Sequence, residues 1–224
     1  MFLKDLTLII PAKNEAESLP RFLNELKYLN LKILVVLQKE DLSTQNSIKN
    51  LKNVEILIQK KEGYGSAIIE GLSNSNTEYS CIINADGSMD PKYLKPMLDK
   101  CQDKDLIFAS RYEKPEGGSD DDTIVTLIGN KVFTFLGNIL FNLKISDILF
   151  TFILGKTKSF NKLKLDYHDF RLCVEIPIKA KKRGLVYSTL PSFERSRIAG
   201  KKNVNVIIDG LLILFGILNF IGKK

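Results

Sequence analysis

Between residues 6 and 109, short apolar runs alternate with helix-like segments, and that alternation leaves the chain very few folds. Runs at 6–10, 32–37, 54–58, 79–83 and 105–109 are five or six residues long and mostly aliphatic, as strands buried on both faces are. Helix patterns lie between them, near 18–29, 44–51, 65–72 and 91–101. The first has Ser18 at its start, Pro20 in its first turn and an apolar stripe of Leu19, Phe22, Leu23, Leu26 and Leu29. This spacing predicts an α/β fold with a mostly parallel sheet and helices on both faces. Such sheets bind ligands beyond the carboxyl ends of their strands. Asn14, Glu15, Asn84, Asp86, Ser110 and Arg111 all fall at those ends.

The run 79–83 leads into Asn84-Ala85-Asp86-Gly87-Ser88-Met89-Asp90-Pro91. In extended backbone, side chains two apart share a side, so Asn84 and Asp86 face the same way. Oxygen ligands in that place suit a hard cation, Mg²⁺ or Mn²⁺, which can in turn hold a diphosphate. The plainer alternative is a strand followed by a polar turn.

The second half is less regular. Residues 113–122 form a polar loop with Gly117-Gly118 and three consecutive aspartates. Residues 124–154 are strongly apolar, interrupted by Asn130, Asn138, Asn142, Lys144 and Asp147, and are expected to form two helices broken near Ser146. A helix over 170–183 despite Pro177, a strand over 185–190 and a basic loop over 191–203 follow. His168, the only histidine, sits in a polar stretch and is expected at the surface, so no Ser-His or Cys-His pair can be assembled. The three cysteines are scattered, without the spacing of a zinc site, and fit a reducing compartment. The N-terminus lacks the pattern of a signal peptide.

Residues 204–224 are compositionally separate from 1–203. The stretch 210–221 is apolar but shorter than a bilayer span, with Asp209 at its head and Lys223 and Lys224 at its end. A helix lying in the membrane interface is expected, with a core helix as the alternative. A formal charge of +7 favours an anionic partner: nucleic acid, a phosphorylated ligand or an acidic membrane surface. A lysine-rich solvated surface accounts for most of that excess.

Six segments, in order, resemble family 2 glycosyltransferases with the GT-A fold, nearest in kind to dolichyl- or polyprenyl-phosphate sugar synthases. They are Ile9-Ile10-Pro11-Ala12-Lys13-Asn14-Glu15, Glu62-Gly63-Tyr64-Gly65-Ser66-Ala67, Asn84-Ala85-Asp86-Gly87-Ser88, Ala109-Ser110-Arg111-Tyr112, Asp147 with Phe152, and Glu175 with the 194–203 basic loop. The resemblance implies that Pro11, Ala12, Asn14, Glu15, Gly65, Asn84 and Ala85 surround a nucleotide-diphosphate sugar, with GDP or UDP as carrier. It implies a metal at Asp86, with Asn84 and Ser88 beside it. It also implies that Arg111 offsets the diphosphate and that Arg195, Arg197 and Lys202 close over phosphate groups. Nucleic acid is not among the partners it implies. Two departures stand out: Gln38 and Asp41 stand where the family carries an Asp pair, and Asn84 replaces the first carboxylate of a DxD.

The implied reaction is an inverting, metal-assisted sugar transfer to a lipid phosphate by an enzyme on the cytoplasmic face of a membrane. An anionic acceptor oxygen needs no base. A hydroxyl acceptor does, and Asp147 and Glu175 are then the candidates. The remaining alternatives are transfer to a hydroxyl of a glycan or glycolipid, and a nucleotide-sugar-binding protein that has lost catalysis.

Overall fold

The structure is a computed structural model that describes residues 3–200 and 206–222. Its centre is a seven-stranded sheet in the order β3-β2-β1-β4-β7-β5-β8. The strands are β1 (Leu6–Ala12), β2 (Lys32–Leu37), β3 (Val54–Ile58), β4 (Tyr79–Ile82), β5 (Leu106–Ser110), β7 (Ile153–Lys156) and β8 (Tyr187–Pro191). A separate ribbon pairs β6 (Gly118–Ser119) with β9 (Phe193–Glu194). The helices are α1 (Ser18–Leu26), α2 (Leu42–Ile48), α3 (Tyr64–Asn74), α4 (Leu94–Lys100), α5 (Ile124–Phe141), α6 (Thr157–Leu163), α7 (Leu172–Lys182) and α8 (Val206–Leu218). The predicted parallel α/β order is present from β1 to β5, with two apolar cores on opposite faces of the sheet.

β1 runs two residues beyond the expected strand, through Pro11. Ile9 gives its carbonyl to the Ile83 amide, so Pro11, two residues on, turns to the same side, where β4 has already ended. The missing proline N–H therefore costs no ladder bond.

The expected pair of helices over 124–154 is corrected. α5 stops at Phe141 because Asn142 takes the left-handed conformation (φ 52°). The chain then returns as β7, antiparallel to both β4 and β5. Aromatic and β-branched residues (Phe150, Thr151, Phe152, Ile153) supply this stretch, and all are buried.

α5 has an unusual polarity. Its polar residues face the domain: Asn130 donates to Asp147 (2.6 Å), Thr134 Oγ1 accepts from the Ile148 amide (3.1 Å), and the Asn138 amide pairs with the backbone of Ile145 (2.7 and 3.1 Å). Its apolar residues point outward, with Ile124, Ile128, Phe135 and Ile139 more than half exposed. α8 packs beside it. Ile213, Ile217 and Phe220 join Leu143, Ile148 and Val174 in a third core, while Ile207, Leu211 and Phe215 stay exposed. The helix expected at 210–221 thus shares a core with the preceding domain.

Candidate active site

A cavity of about 690 Å³ opens beyond the carboxyl ends of β1, β2 and β4. Pro11, Ala12, Glu15, Asn84, Ala85, Asp86, Ser88, Arg111 and Arg197 line it, together with Gln38, Gln59, Tyr64 and His168. Most of the residues singled out from the sequence therefore meet in one place. Asn14, Gly65, Asp147, Glu175 and Arg195 are not in the lining, and Lys202 lies outside the described residues.

Each wall follows from local chemistry. After β1, Asn14 adopts φ 58° and gives its amide to Asp41 Oδ2 (2.7 Å), while the Glu15 amide reaches Thr44 Oγ1 (2.9 Å). Asp41 also caps α2 through the Thr44 amide (3.2 Å). Asp41 is thus a brace for the β1 turn, and Gln38 is the side chain of that region that reaches the cavity. An amide both donates and accepts, whereas a carboxylate only accepts, so this exchange changes what the site can ask of a base.

The Glu62-Gly63-Tyr64-Gly65 turn is pressed against the 167–169 backbone. A β-carbon on Gly63 would lie 2.1 Å from the His168 carbonyl oxygen, and one on Gly65 would lie 2.3 Å from that of Tyr167. The glycines serve this loop contact. Tyr64 holds the floor: its hydroxyl meets Asn84 Oδ1 (3.0 Å) and Thr151 Oγ1 (2.6 Å), and its ring stacks on Phe170. His168 is exposed, as the polar stretch suggested, and it also borders the cavity. Its Nδ1 shares a hydrogen bond with Ser66 Oγ (2.9 Å) at the cavity wall.

Asp86 is buried. Its Oδ1 accepts from the amide (3.0 Å) and hydroxyl (2.8 Å) of Ser88, leaving Oδ2 toward Arg197 Nη2 (3.6 Å). Asn84 spends its amide oxygen on Tyr64 and Ser88 its hydroxyl hydrogen on Asp86. Of the three residues read as metal ligands, Asp86 supplies the anionic oxygen and the other two hold the loop. No group of three His, Cys, Asp or Glu among the described residues can hold a metal alone. One carboxylate still fits an ion such as Mg²⁺, which keeps waters and takes its remaining ligands from substrate phosphates.

Arg111 is the hub of a buried ion network. It contacts Asp147 through Nε (2.7 Å) and Nη2 (3.1 Å), Glu194 through Nη1 (3.1 Å) and Asp122 at 3.6 Å. Asp147 additionally accepts from the Arg111 amide and from Asn130. With four donors on two oxygens, it is no base, correcting one of the two sequence candidates. Glu175 is the other correction. Fully buried away from the cavity, it accepts from the Asp166 and Tyr167 amides (2.8 and 2.9 Å) and pairs with Lys179.

The cavity is acidic. Among the described residues, three cationic side chains line it (Lys13, Arg111, Arg197) against seven carboxylates (Glu15, Glu62, Asp86, Asp121, Asp122, Asp169, Glu194). On these residues an anionic ligand entering here meets net negative charge. Burial pushes the Glu15 and Glu194 carboxyls above their usual range, Glu15 despite the hydrogen bond from Ser18. A raised folded-state value means that ionised Glu15 costs stability at neutral pH, a cost absent below the unfolded value. Glu15→Gln is therefore expected to raise the melting temperature by about 1–3 °C at pH 7.5, with the gain vanishing below pH ~4.5. Melting curves across that range check it, and a gain that persists in acid would rule out burial of the charge as its cause.

Comparison with known proteins places this geometry. The family model described as "Glycosyl transferase family 2" matches residues 7–164. Uncharacterized glycosyltransferases of Mycobacterium tuberculosis and Mycobacterium bovis are 31% identical over 114 residues, 50% of this chain and 50% of theirs. The chain thus spans about half the length of these relatives. Glucosyl-3-phosphoglycerate synthase from Mycobacterium tuberculosis, solved with Mn²⁺, UDP-glucose and phosphoglyceric acid, superposes with a TM-score of 0.71 at 12% identity, covering 98% of this chain and 80% of that one. Mannosyl-3-phosphoglycerate synthase from Rubrobacter xylanophilus gives 0.67 at 15% identity, covering 97% and 72%. At these identities the likeness is one of fold.

Proposed function

The chain belongs to glycosyl transferase family 2, and on that premise we propose that it moves a sugar from a nucleotide-diphosphate donor, GDP- or UDP-linked, to a lipid-phosphate acceptor at a membrane surface. The observation that carries the acceptor half is the cavity's own wall. Thr126 and Asn130 of α5 and Ile213 of α8 line it, and the outer faces of those two helices are exposed and apolar. Exposed apolar faces of this extent mark a surface that meets lipid or a partner. α5 is long and apolar enough to cross a bilayer by length and composition. Its inward polar stripe is bonded to the 145–148 loop, so we place it on the membrane rather than through it, on the cytoplasmic face.

In this reading, the 11–15 turn, Gln38 and Gln59 hold the nucleoside, and the diphosphate lies over Asp86. Asp86 is the residue that would hold Mg²⁺ or Mn²⁺, and such an ion would neutralise charge gathering on the leaving diphosphate. Arg197 stands within reach of the same charge. Arg111 acts through the acidic network it holds together, shaping the wall rather than offering an unspent guanidinium. An acceptor phosphate oxygen needs no general base, in keeping with the saturated Asp147 and the remote Glu175.

The test uses the full chain with Mn²⁺ and a panel of radiolabelled UDP- and GDP-sugars. Label is expected to move to polyprenyl phosphate and not to neutral polyprenol. Transfer only to 3-phosphoglycerate or to a neutral hydroxyl would assign the site to another acceptor. Donor binding without transfer to any of them would favour a protein that has lost catalysis. The membrane half is tested separately: Phe135→Ser with Phe215→Ser is expected to cut co-flotation with anionic vesicles at least tenfold. Unchanged flotation would remove these helices from the membrane contact.

A further inference from the structure

Arg197 faces the Asp86 oxygen that Ser88 leaves uncommitted. Its Nη2 lies 3.6 Å from Asp86 Oδ2 and 3.0 Å from Asp121 Oδ2, and its Nε lies 3.4 Å from Asp121 Oδ1. The other Asp86 oxygen is committed to Ser88, so Oδ2 is the atom left for a cation, and the guanidinium faces it. The segment carrying Arg197 is clipped to the Asp86 loop. The Ile198 amide donates to the Asp86 carbonyl and the Arg195 amide to that of Ser88, both at 2.8 Å. The Arg195 guanidinium caps the Gly87 carbonyl at 2.6 Å. Ile198 sits on Gly87, where a β-carbon would come within 2.4 Å of it.

We propose that Arg197 is an exchangeable counter-ion: it and a divalent cation exclude each other at Asp86 Oδ2, so the metal enters with the donor diphosphate, which draws the guanidinium onto itself. This rests on the metal-assisted transfer proposed above. The physical argument is one of charge. A dication on Oδ2 would stand beside a partly buried guanidinium with little water between them, and like charges at that separation repel strongly. Asp121 alone does not remove that repulsion. A diphosphate does, because it adds anionic oxygens of its own beside both cations, in the fork geometry that suits arginine. Arg197 thus guards an acidic cavity against stray cations, and metal affinity becomes conditional on donor.

The experiment is Mn²⁺ binding to the full chain, read from the electron paramagnetic resonance signal of free Mn²⁺, with and without UDP or GDP. Mn²⁺ alone is expected to bind wild type weakly, and Arg197→Gln at least tenfold more tightly. Arg197→Lys, which keeps the charge, is expected to stay near wild type, and a melting curve verifies that each variant is folded. Asp86→Asn added to Arg197→Gln should abolish the gain. Arg197→Gln binding Mn²⁺ no better than wild type, while wild type still takes Mn²⁺ with nucleotide through Asp86, would overturn the exchange and leave the metal reading standing. No Asp86-dependent Mn²⁺ binding under any condition would overturn both.

Discussion

Asp86→Asn is expected to lower sugar transfer by on the order of 100-fold or more while leaving the melting temperature within a few degrees of wild type. The substitution is nearly isosteric. An asparagine oxygen can still accept from the Ser88 amide and hydroxyl, so the turn after β4 keeps its brace. What disappears is one negative charge at the atom facing Arg197 and the cavity. That charge also pairs with Arg197, but in this reading its main work is to be the anionic ligand the site offers to a cation beneath a diphosphate. Steady-state rates over a Mn²⁺ titration decide the matter. A wild-type rate with unchanged metal dependence would sink the assignment. A melting loss in proportion to the activity loss would make Asp86 a structural residue. Asp86→Ala is the less informative variant, because it also removes the acceptor for Ser88.

How much of this was legible beforehand differs from residue to residue for physical reasons. The five apolar runs and the residues at their carboxyl ends could be read because period and burial are local properties of the chain, and the structure gathers Glu15, Asn84, Asp86 and Arg111 where strand polarity says they must be. β7 could not be read, since its antiparallel place between β4 and β5 depends on partners more than forty residues away. The same holds for carboxylates. Asp147 and Glu175 look alike in a sequence, and only the fold reveals four donors closing the first and two backbone amides with a lysine closing the second. Asp41, which stands where the family carries an Asp pair, braces the turn after β1. His168 is exposed, as its polar neighbours suggest, but its place at the cavity rim was not legible, because it depends on the glycines of the 63–65 turn bringing its backbone against α3. The one local signal left unused lay in α5. Asn130, Thr134 and Asn138 recur every four residues within an apolar helix, a polar stripe that marks the inward face and leaves the apolar faces outside.

The largest loss of stability is expected at Arg111. Its guanidinium is about nine-tenths buried and stands against Asp147, Glu194 and Asp122, with the Phe150 ring 4.6 Å from its central carbon. Burying such a group is costly, and the cost is offset only by the three carboxylates it meets. Arg111→Leu keeps much of the packing volume but strands those carboxylates in an acidic cavity, so the fold should lose about 3–5 kcal/mol. The pH dependence follows from the same cause. Burial already holds the Glu194 carboxyl above its usual range against the pull of Arg111; without the guanidinium it rises further, a contribution present at low pH and lost as pH rises through the folded value. The deficit relative to wild type should therefore be larger at pH 8 than at pH 5. Adding Asp147→Asn removes one stranded charge and should restore part of the loss, a non-additivity expected of groups in direct contact. Urea denaturation of the two variants at both pH values measures all three quantities. A deficit below about 1 kcal/mol, or one indifferent to pH, would mean that water reaches the network and that Arg111 is held as an exposed pair would be.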